Sequence, residues 1–268
     1  MNSTVIWKHI PRCDKRLLVL LHGIGMSSTV WLPVLKRLAA ERRVIAFDLP
    51  GFGKTPPLPP GVDRTPRGMA EEIFQVLGAM GITEPVDIVG NSLGGYVALE
   101  FAKLGYARKV VGISPAGLWH GTAPPWVERQ LRRIQSRIST PRRLWLAKQL
   151  MRNPLSRTRL LRIPVAAKGW RIPASEAIDI LDTFANATDL EAVGKAVSEQ
   201  FRGGENIKVP CTVAFGDKDL LLRKKESQYR DELPRDHVWL PEELKGCGHV
   251  AMWDEPEAVA KLILKGTA

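Results

Sequence analysis

One short stretch, Gly90-Asn91-Ser92-Leu93-Gly94-Gly95, most strongly constrains how this chain can fold. It directly follows the apolar run Val86–Val89, and the pattern predicts a strand that turns sharply into a helix at Ser92. Side chains two residues before and after such a serine would collide, and Gly90 and Gly94 occupy those two positions. We therefore expect the Ser92 hydroxyl to stand above a sheet, beside the Leu93 amide at a positive helix N-terminus.

Size and composition indicate a globular protein. The 268 residues suffice for one large α/β domain or two small ones, and 44% hydrophobic with 25% charged residues excludes wholesale disorder. No apolar run approaches the roughly 20 residues that span a bilayer. The N-terminal residues lack the pattern of a secretory signal. Three scattered cysteines suggest neither a metal site nor a disulfide framework, so we expect a cytoplasmic protein; they are Cys13, Cys211 and Cys247.

The net charge of +11 is unevenly distributed. Residues 119–204 hold 15 Lys or Arg and 7 Asp or Glu, a balance of +8, so the rest of the chain contributes only +3. No zinc-finger, helix-turn-helix or RNA-binding motif accompanies this segment, so we expect no nucleic-acid partner. An arginine-rich solvated helical face explains the charge, although attraction to acidic substrates, a partner protein or an anionic membrane remains compatible with it.

Short apolar runs alternate with helical segments, which favours an α/β fold with a mainly parallel sheet flanked by helices. Near-continuous apolar strands suit a sheet that is covered on both faces. Helices are predicted at about 29–40, 66–80, 93–105, 222–233 and 255–265. The predicted strands are Val5–His9, Leu17–Leu21, Val44–Phe47, Val86–Val89, Val110–Ile113, Cys211–Phe215 and Val238–Leu240.

Residues 119–204 interrupt this alternation. They contain helical stretches, several prolines and four tryptophans, without a regular succession of strand and helix. We interpret them as a helical insertion, the cap, between two strands of a core formed by residues 1–118 and 205–268.

Serine becomes a useful nucleophile only when a base removes its proton, so Ser92 requires a histidine and an orienting acid. His249 lies in the glycine-rich loop Gly246–Val250 that follows the last predicted strand, and it is the best candidate for the base. Two carboxylates, Asp217 and Asp219, follow the strand Cys211–Phe215. Both satisfy the chain order serine, acid, histidine, and we take Asp219 as the candidate acid with Asp217 as the alternative. His22 at the end of Leu17–Leu21 is expected to brace a loop.

Together these motifs resemble the α/β-hydrolase fold superfamily, specifically its lidded, esterase-like serine hydrolases. Five separated blocks occur in the order that family shows: His22–Gly25, Asp48–Gly53, Gly90–Gly95, Gly216–Asp219 and Gly246–His249. The resemblance implies a catalytic triad of Ser92, Asp219 and His249. It also implies an oxyanion hole formed by the amides of Ile24 and Leu93, and a cap at 119–204 above the site.

The substrate is less constrained by the residues. Trp119 in the cap, with Met252 and Trp253 after the histidine, is expected to contact an apolar small-molecule ester or related acyl substrate, although packing explains the same residues. Serine in place of aspartate argues against dehalogenase or epoxide hydrolase chemistry. Serine-dependent C–C hydrolysis of a dienoic acid-type compound remains an alternative, as does a non-catalytic ligand-binding protein on this fold. The expected mechanism requires no metal and no organic cofactor.

Overall fold

The computed structural model describes residues 15–188, 190–241 and 243–268. Its strands form one six-stranded sheet with the order β2-β1-β3-β4-β5-β6, and every neighbouring pair is parallel. The predicted strand Val5–His9 lies outside the described residues. The strands are β1 (Leu17–Leu21), β2 (Arg43–Phe47), β3 (Val86–Asn91), β4 (Ala107–Ile113), β5 (Cys211–Ala214) and β6 (Val238–Trp239).

Helices cover both faces of this sheet. The α-helices are α1 (Leu32–Ala39), α2 (Pro66–Ala79), α3 (Leu93–Lys103), α4 (Pro125–Ile138), α5 (Pro141–Arg152), α6 (Pro154–Leu161), α7 (Ala174–Ala185), α8 (Leu190–Val197), α9 (Lys224–Ser227), α10 (Ala251–Asp254) and α11 (Pro256–Gly266). Short 3₁₀ turns occur at Ser28–Trp31, Gly169–Arg171 and Gly204–Asn206. The helices α4 to α8 all lie between β4 and β5, in the segment that contains the cap.

Strand β1 shows why the sheet needs two helical layers. Its residues alternate between two cores: Val19 and Leu21 pack in one, and Leu18 and Leu20 pack in the other. Helices α2 and α3 contact each other beside the first core, while α1 and α11 contact each other beside the second. Because both faces are buried, the strand is apolar along its whole length, as predicted for a parallel α/β sheet.

The prediction of a helix over residues 222–233 is wrong about its length. The structure has only α9 there, and the chain leaves the helix at Gln228. The amide of Tyr229 donates to the carbonyl of Leu118, so a tertiary hydrogen bond replaces the one that would continue the helix. Near the C-terminus, α11 matches the helix predicted at 255–265 and begins at Pro256, and the short helix α10 directly before it was not predicted.

Candidate active site

Ser92 occupies the turn between β3 and α3, in a strained backbone conformation. Its φ of +56° and ψ of −118° lie in a region that L-residues rarely adopt. A Cβ atom on Gly90 would overlap the carbonyl of Gly94, and a Cβ on Gly94 would overlap the carbonyl of Leu21. Glycine is therefore required at both positions for steric reasons, as predicted. The closely packed surrounding backbone keeps Ser92 in its strained conformation.

His249 and Asp219 form a buried hydrogen-bonded pair. Nδ1 of His249 lies 2.9 Å from Oδ2 of Asp219, and both side chains are almost completely buried. The other carboxylate oxygen accepts the amides of Leu221 and Leu222 at 2.9 and 2.8 Å. The two oxygens therefore play separate roles, because one fixes the carboxylate to its loop and the other orients the imidazole ring.

The second ring nitrogen of His249 is available for chemistry. Among the described residues, Nε2 has no hydrogen-bond partner, although it is buried. His249 and Ser92 both line the same cavity. With Nδ1–H directed at the Asp219 carboxylate, the neutral ring presents Nε2 as a proton acceptor to that cavity.

Asp217, the alternative acid, has a different role. Its Oδ1 accepts the amide of Gly246 at 2.6 Å, and its own amide donates to the carbonyl of Leu244. These bonds tie the loop after β5 to the loop that carries His249. Asp219, and not Asp217, contacts the imidazole ring.

His22 braces the loop that follows β1. Its Nδ1 donates to the carbonyl of Gly23 at 2.7 Å, and its Nε2 accepts the amide of Leu49 at 2.8 Å. This pattern requires the neutral ring. Burial lowers the pKa of His22 and outweighs the nearby Asp48 carboxylate, which raises it. Because the ring is fully engaged with backbone, His22 has no free nitrogen for reaction.

The two residues expected to supply the oxyanion-hole amides both lie near Ser92: Leu93 follows it in the chain, and Ile24 lines the same cavity. Leu93 is the first residue of α3, so its N–H has no acceptor within the helix. Ile24 lines the cavity, and a Cβ on the preceding Gly23 would lie only 3.1 Å from Cβ of Ser92. Their use as an oxyanion hole stays a prediction.

Two positioning residues were missed by sequence reasoning. Nδ2 of Asn91, the last residue of β3, donates to the backbone carbonyls of His249 at 2.9 Å and Ile113 at 3.0 Å. Asn91 therefore ties the serine turn to the histidine loop. Its only sequence signal is an amide side chain at the end of the strand, directly before Ser92.

Asp254 joins the histidine loop to the cap. Its carboxylate is completely buried and accepts the amides of Gly248 at 2.6 Å, Ala167 at 3.0 Å and Lys168 at 2.6 Å. Burial raises the pKa of the Asp254 carboxyl, and the three amides act in the opposite direction. No sequence signal distinguished this carboxylate, because its partners in the cap lie more than 80 residues away in the chain.

The cavity is predominantly aliphatic. Ser92, His249, Asn91 and Gly23 form its floor, and most of its wall comes from the cap. Arg137 of α4 is the charged arginine at this wall, and its side chain is exposed. The apolar lining consists of Ile24, Met26, Leu131, Ile134, Ile138, Ala147, Met151, Leu160, Leu161, Pro164, Val165, Ile180, Leu181, Phe184 and Leu221.

The residues predicted to contact substrate need correction. Trp119, Met252 and Trp253 do not line this cavity. Trp119 is buried in the sheet core and donates its indole N–H to the carbonyl of Ser198 at 2.9 Å. Met252 and Trp253 pack in the opposite core. The cap lines the cavity mainly with aliphatic side chains, together with Met151 and Phe184, and not with its tryptophans.

Within the ranges that the structure describes, no group of three His, Cys, Asp or Glu residues is placed to hold a metal ion. Cys211 and Cys247 are buried free thiols, and burial raises the pKa of each to about 12. Neither thiol is therefore a reactive thiolate near neutral pH. No helix in the described part of the chain is long and apolar enough to span a membrane.

Comparison with known proteins identifies the family of the chain. Residues 18–262 match the model of the alpha/beta hydrolase family, and the chain belongs to that family. It is an enzyme of the alpha/beta hydrolase superfamily, as its motifs predicted. The fold prediction is likewise confirmed. The sheet is parallel, Ser92 follows its inner strand β3, and the structural neighbours share this fold.

Individual relatives carry different activities in their names. The chain is 31% identical over 199 residues to epoxide hydrolase EphH of Mycobacterium tuberculosis, covering 73% of this chain and 91% of that protein. It is 27% identical to a putative carbamate hydrolase RutD of Escherichia coli, covering 96% and 93% of the two chains. The structure of carboxylesterase CesB from Bacillus subtilis superposes with a TM-score of 0.69 at 19% identity, covering 96% and 85%.

Proposed function

We propose that this protein is a serine hydrolase that cleaves carboxylic esters through an acyl-enzyme on Ser92. The observation that carries the proposal is the placement of His249. One ring nitrogen is held by buried Asp219, while the other is unpartnered among the described residues in the cavity that Ser92 lines. A histidine with one nitrogen held by a carboxylate and the other open to a cavity lined by a serine supports base activation of that serine.

The reaction follows from these positions. His249 Nε2 accepts the Ser92 proton as Oγ attacks the ester carbonyl, and the C=O electrons move to the oxygen. The amides of Leu93 and Ile24 stabilise that oxyanion. Collapse of the intermediate expels the alcohol, which takes the proton from His249, and leaves an acyl ester on Ser92. Water then attacks the ester by the same sequence and releases the carboxylic acid.

Asp219 supports both half-reactions. Its carboxylate holds the imidazole in the tautomer that exposes Nε2 and stabilises the imidazolium that forms at each proton transfer. Asn91 contributes by fixing the backbone carbonyl of His249, which sets the depth of the ring in the cavity. The roles are distinct, because Asp219 acts on the ring and Asn91 acts on the chain that carries it.

The nucleophile separates this proposal from the activity named for one relative. Epoxide opening on this fold would require a carboxylate that forms an alkyl ester, whereas the elbow residue here is serine. A serine with an aspartate–histidine pair instead favours attack on an acyl carbon. Because the cavity wall is aliphatic, it favours a substrate whose acyl or alcohol group is uncharged.

A second candidate is serine-dependent C–C hydrolysis of a dienoic acid-type substrate. Arg137 favours it, because an exposed guanidinium at the cavity wall can pair with a substrate carboxylate. The variant Arg137→Gln separates the candidates. It should raise KM for a carboxylate-bearing substrate and leave KM for an uncharged ester unchanged.

A fluorophosphonate probe tests the proposed function directly. The parent should be labelled, whereas Ser92→Ala and His249→Ala should not. Ser114→Ala is a matched control, because Ser114 is also buried and has a positive φ of 44°, yet does not line the cavity. The unlabelled parent should hydrolyse nitrophenyl esters of graded chain length, and labelling with the probe should abolish this activity. Turnover of any such ester by Ser92→Ala at the parental rate would contradict the proposal.

A further inference from the structure

The outer surface of the cap exposes large apolar side chains. Among the described residues, seven large hydrophobic side chains are exposed, and five of them lie between residues 145 and 170. The most exposed are Leu155 at 77%, Trp145 at 61% and Trp170 at 54%, accompanied by Leu146 and Leu150. Scattered exposed hydrophobic residues are ordinary, but a concentration of this kind marks an interaction surface.

The same segment is strongly basic. Residues 129–175 contain 13 Lys or Arg and no Asp or Glu. Among the described residues, four of these cations have an acidic partner outside the segment: Arg132 pairs with Glu128, Lys148 with Asp182, and Lys168 and Arg171 with Glu255. An apolar surface within an unneutralised positive field favours a partner that is apolar and anionic together.

Helix α5 shows how the two properties are combined. Arg142, Trp145 and Arg152 are spaced three and seven residues apart, so they lie along one face of the helix. Leu146 and Leu150, four residues apart, form the adjoining stripe. The exposed face therefore alternates apolar and cationic side chains over about three turns.

The exposed residues belong to one packed unit. Helix α5 contacts α6, and α6 contacts the 3₁₀ turn that carries Trp170. Arg157 of α6 is buried and donates to the carbonyls of Met151 at 2.6 Å and Gly169 at 3.2 Å. A buried guanidinium thus connects the end of α5 to the turn, which holds Trp145, Leu155 and Trp170 on a common support.

We propose that this surface, formed by residues 142–171, docks the protein onto the face of an anionic lipid bilayer. Tryptophan and leucine can enter the boundary between headgroups and acyl chains, and arginine can pair with headgroup phosphates. Nucleic acid would satisfy the charge and stack on tryptophan, but it offers no apolar region for Leu146, Leu150 and Leu155. A lipid surface matches both the leucines and the cations.

Docking at this surface has a geometric consequence for the cavity. The inner sides of the same helices form its roof: Ala147 and Met151 of α5, and Leu160 and Leu161 of α6. A bilayer in contact with the outer side is therefore separated from the cavity by one layer of helices. The docking itself does not depend on the proposed esterase activity, because none of the exposed residues lines the cavity.

Vesicle flotation tests the docking. The 268-residue chain should float with vesicles of phosphatidylcholine containing about 30% phosphatidylglycerol, and binding to pure phosphatidylcholine should be at least about tenfold weaker. The triple variant Trp145→Ser, Leu155→Ser, Trp170→Ser should lose more than about tenfold in binding. Leu240→Ser, at an exposed leucine outside the cap, is the matched control and should bind like the parent.

Charge is tested separately with Arg142→Gln and Arg152→Gln. Each should weaken binding to the anionic vesicles by about fivefold, and about 0.5 M salt should reduce the difference. Arg235→Gln, an exposed arginine outside the cap, is the control. Unchanged turnover of a soluble ester, or an unchanged circular dichroism spectrum if no ester is cleaved, establishes that each variant is folded.

Three results would overturn the inference. The first is equal binding to neutral and anionic vesicles. The second is an equal loss of binding in the cap variants and their controls. The third is displacement from vesicles by duplex DNA at comparable phosphate concentration, which would assign the surface to nucleic acid. Should the triple variant fail to fold, Trp145→Ser alone is compared with Leu240→Ser in the same assay.

Discussion

Replacing His22 with leucine removes two buried hydrogen bonds while keeping a side chain of similar size. The carbonyl of Gly23 and the amide of Leu49 would both lose their partner. An unsatisfied buried polar group costs about 1–3 kcal/mol. The free energy of unfolding at pH 7.5 should therefore fall by about 4 kcal/mol, within a range of about 2–6.

The size of this effect should depend on pH. Burial lowers the folded-state pKa of His22 below its ordinary value of 6.5, so the unfolded chain binds the proton more readily. Below pH 6.5, and down to the folded-state pKa, the parent loses up to about 1.4 kcal/mol of stability per pH unit through this residue. Above pH 6.5 the contribution is complete. The leucine variant lacks this proton linkage, so its deficit should shrink as the pH falls from 7.5 to 5.5.

Urea unfolding followed by tryptophan fluorescence at pH 7.5, 6.5 and 5.5 measures both quantities. His120→Leu is the control, because His120 is exposed and its contacts, 3.5 Å to Asp231 and a ring contact with Tyr229, are with exposed residues. It should change stability by less than about 0.5 kcal/mol. A deficit for His22→Leu that is the same at all three pH values would refute the buried neutral histidine. The variant should also lower kcat, because Gly23 precedes the Ile24 amide.

Three further substitutions test the site. Asp219→Asn should reduce kcat on a nitrophenyl ester by about 10³–10⁴-fold through loss of the useful imidazole tautomer, whereas Asp217→Asn should reduce it far less. Gly94→Ala should lower the melting temperature and the soluble yield, because its methyl group would overlap the backbone of β1. Gly78→Ala is the control: its methyl group would face open space, so the variant should be neutral or stabilising. Asn91→Ala should reduce kcat by about 10–100-fold with little change in KM, and a purely structural role would instead appear as a lower melting temperature with unchanged kcat.

Much of the site could be predicted because its constraints are local. Gly90 and Gly94 are required by a single turn, and that steric requirement appears directly as residue spacing. The alternation of apolar strand and helix likewise reflects local burial on both faces of a parallel sheet. His249 was recognisable because its glycine loop follows the last strand in chain order.

Other features depended on contacts between distant segments. Asp217 and Asp219 are equivalent by composition, and only the packing of two loops brings Asp219 to the imidazole ring while Asp217 meets Gly246. The failed helix at 222–233 has the same origin, because Tyr229 bonds to Leu118 across the fold. Both features are decided by hydrogen bonds between segments that are far apart in the sequence. A pattern read over a few neighbouring residues does not contain both partners of such a bond.

The sequence by itself determined the fold class, the strained serine turn and the histidine loop, since each rests on residue types that a local backbone geometry demands. Only the tertiary structure decided which carboxylate orients the histidine and which side chains form the cavity. The cap contains many aliphatic residues of similar character, and a helix can turn any of them inward or outward. In the folded cap Met151 faces the cavity and Trp145 is exposed, because the contacts of α5 with neighbouring helices decide which of its faces is buried.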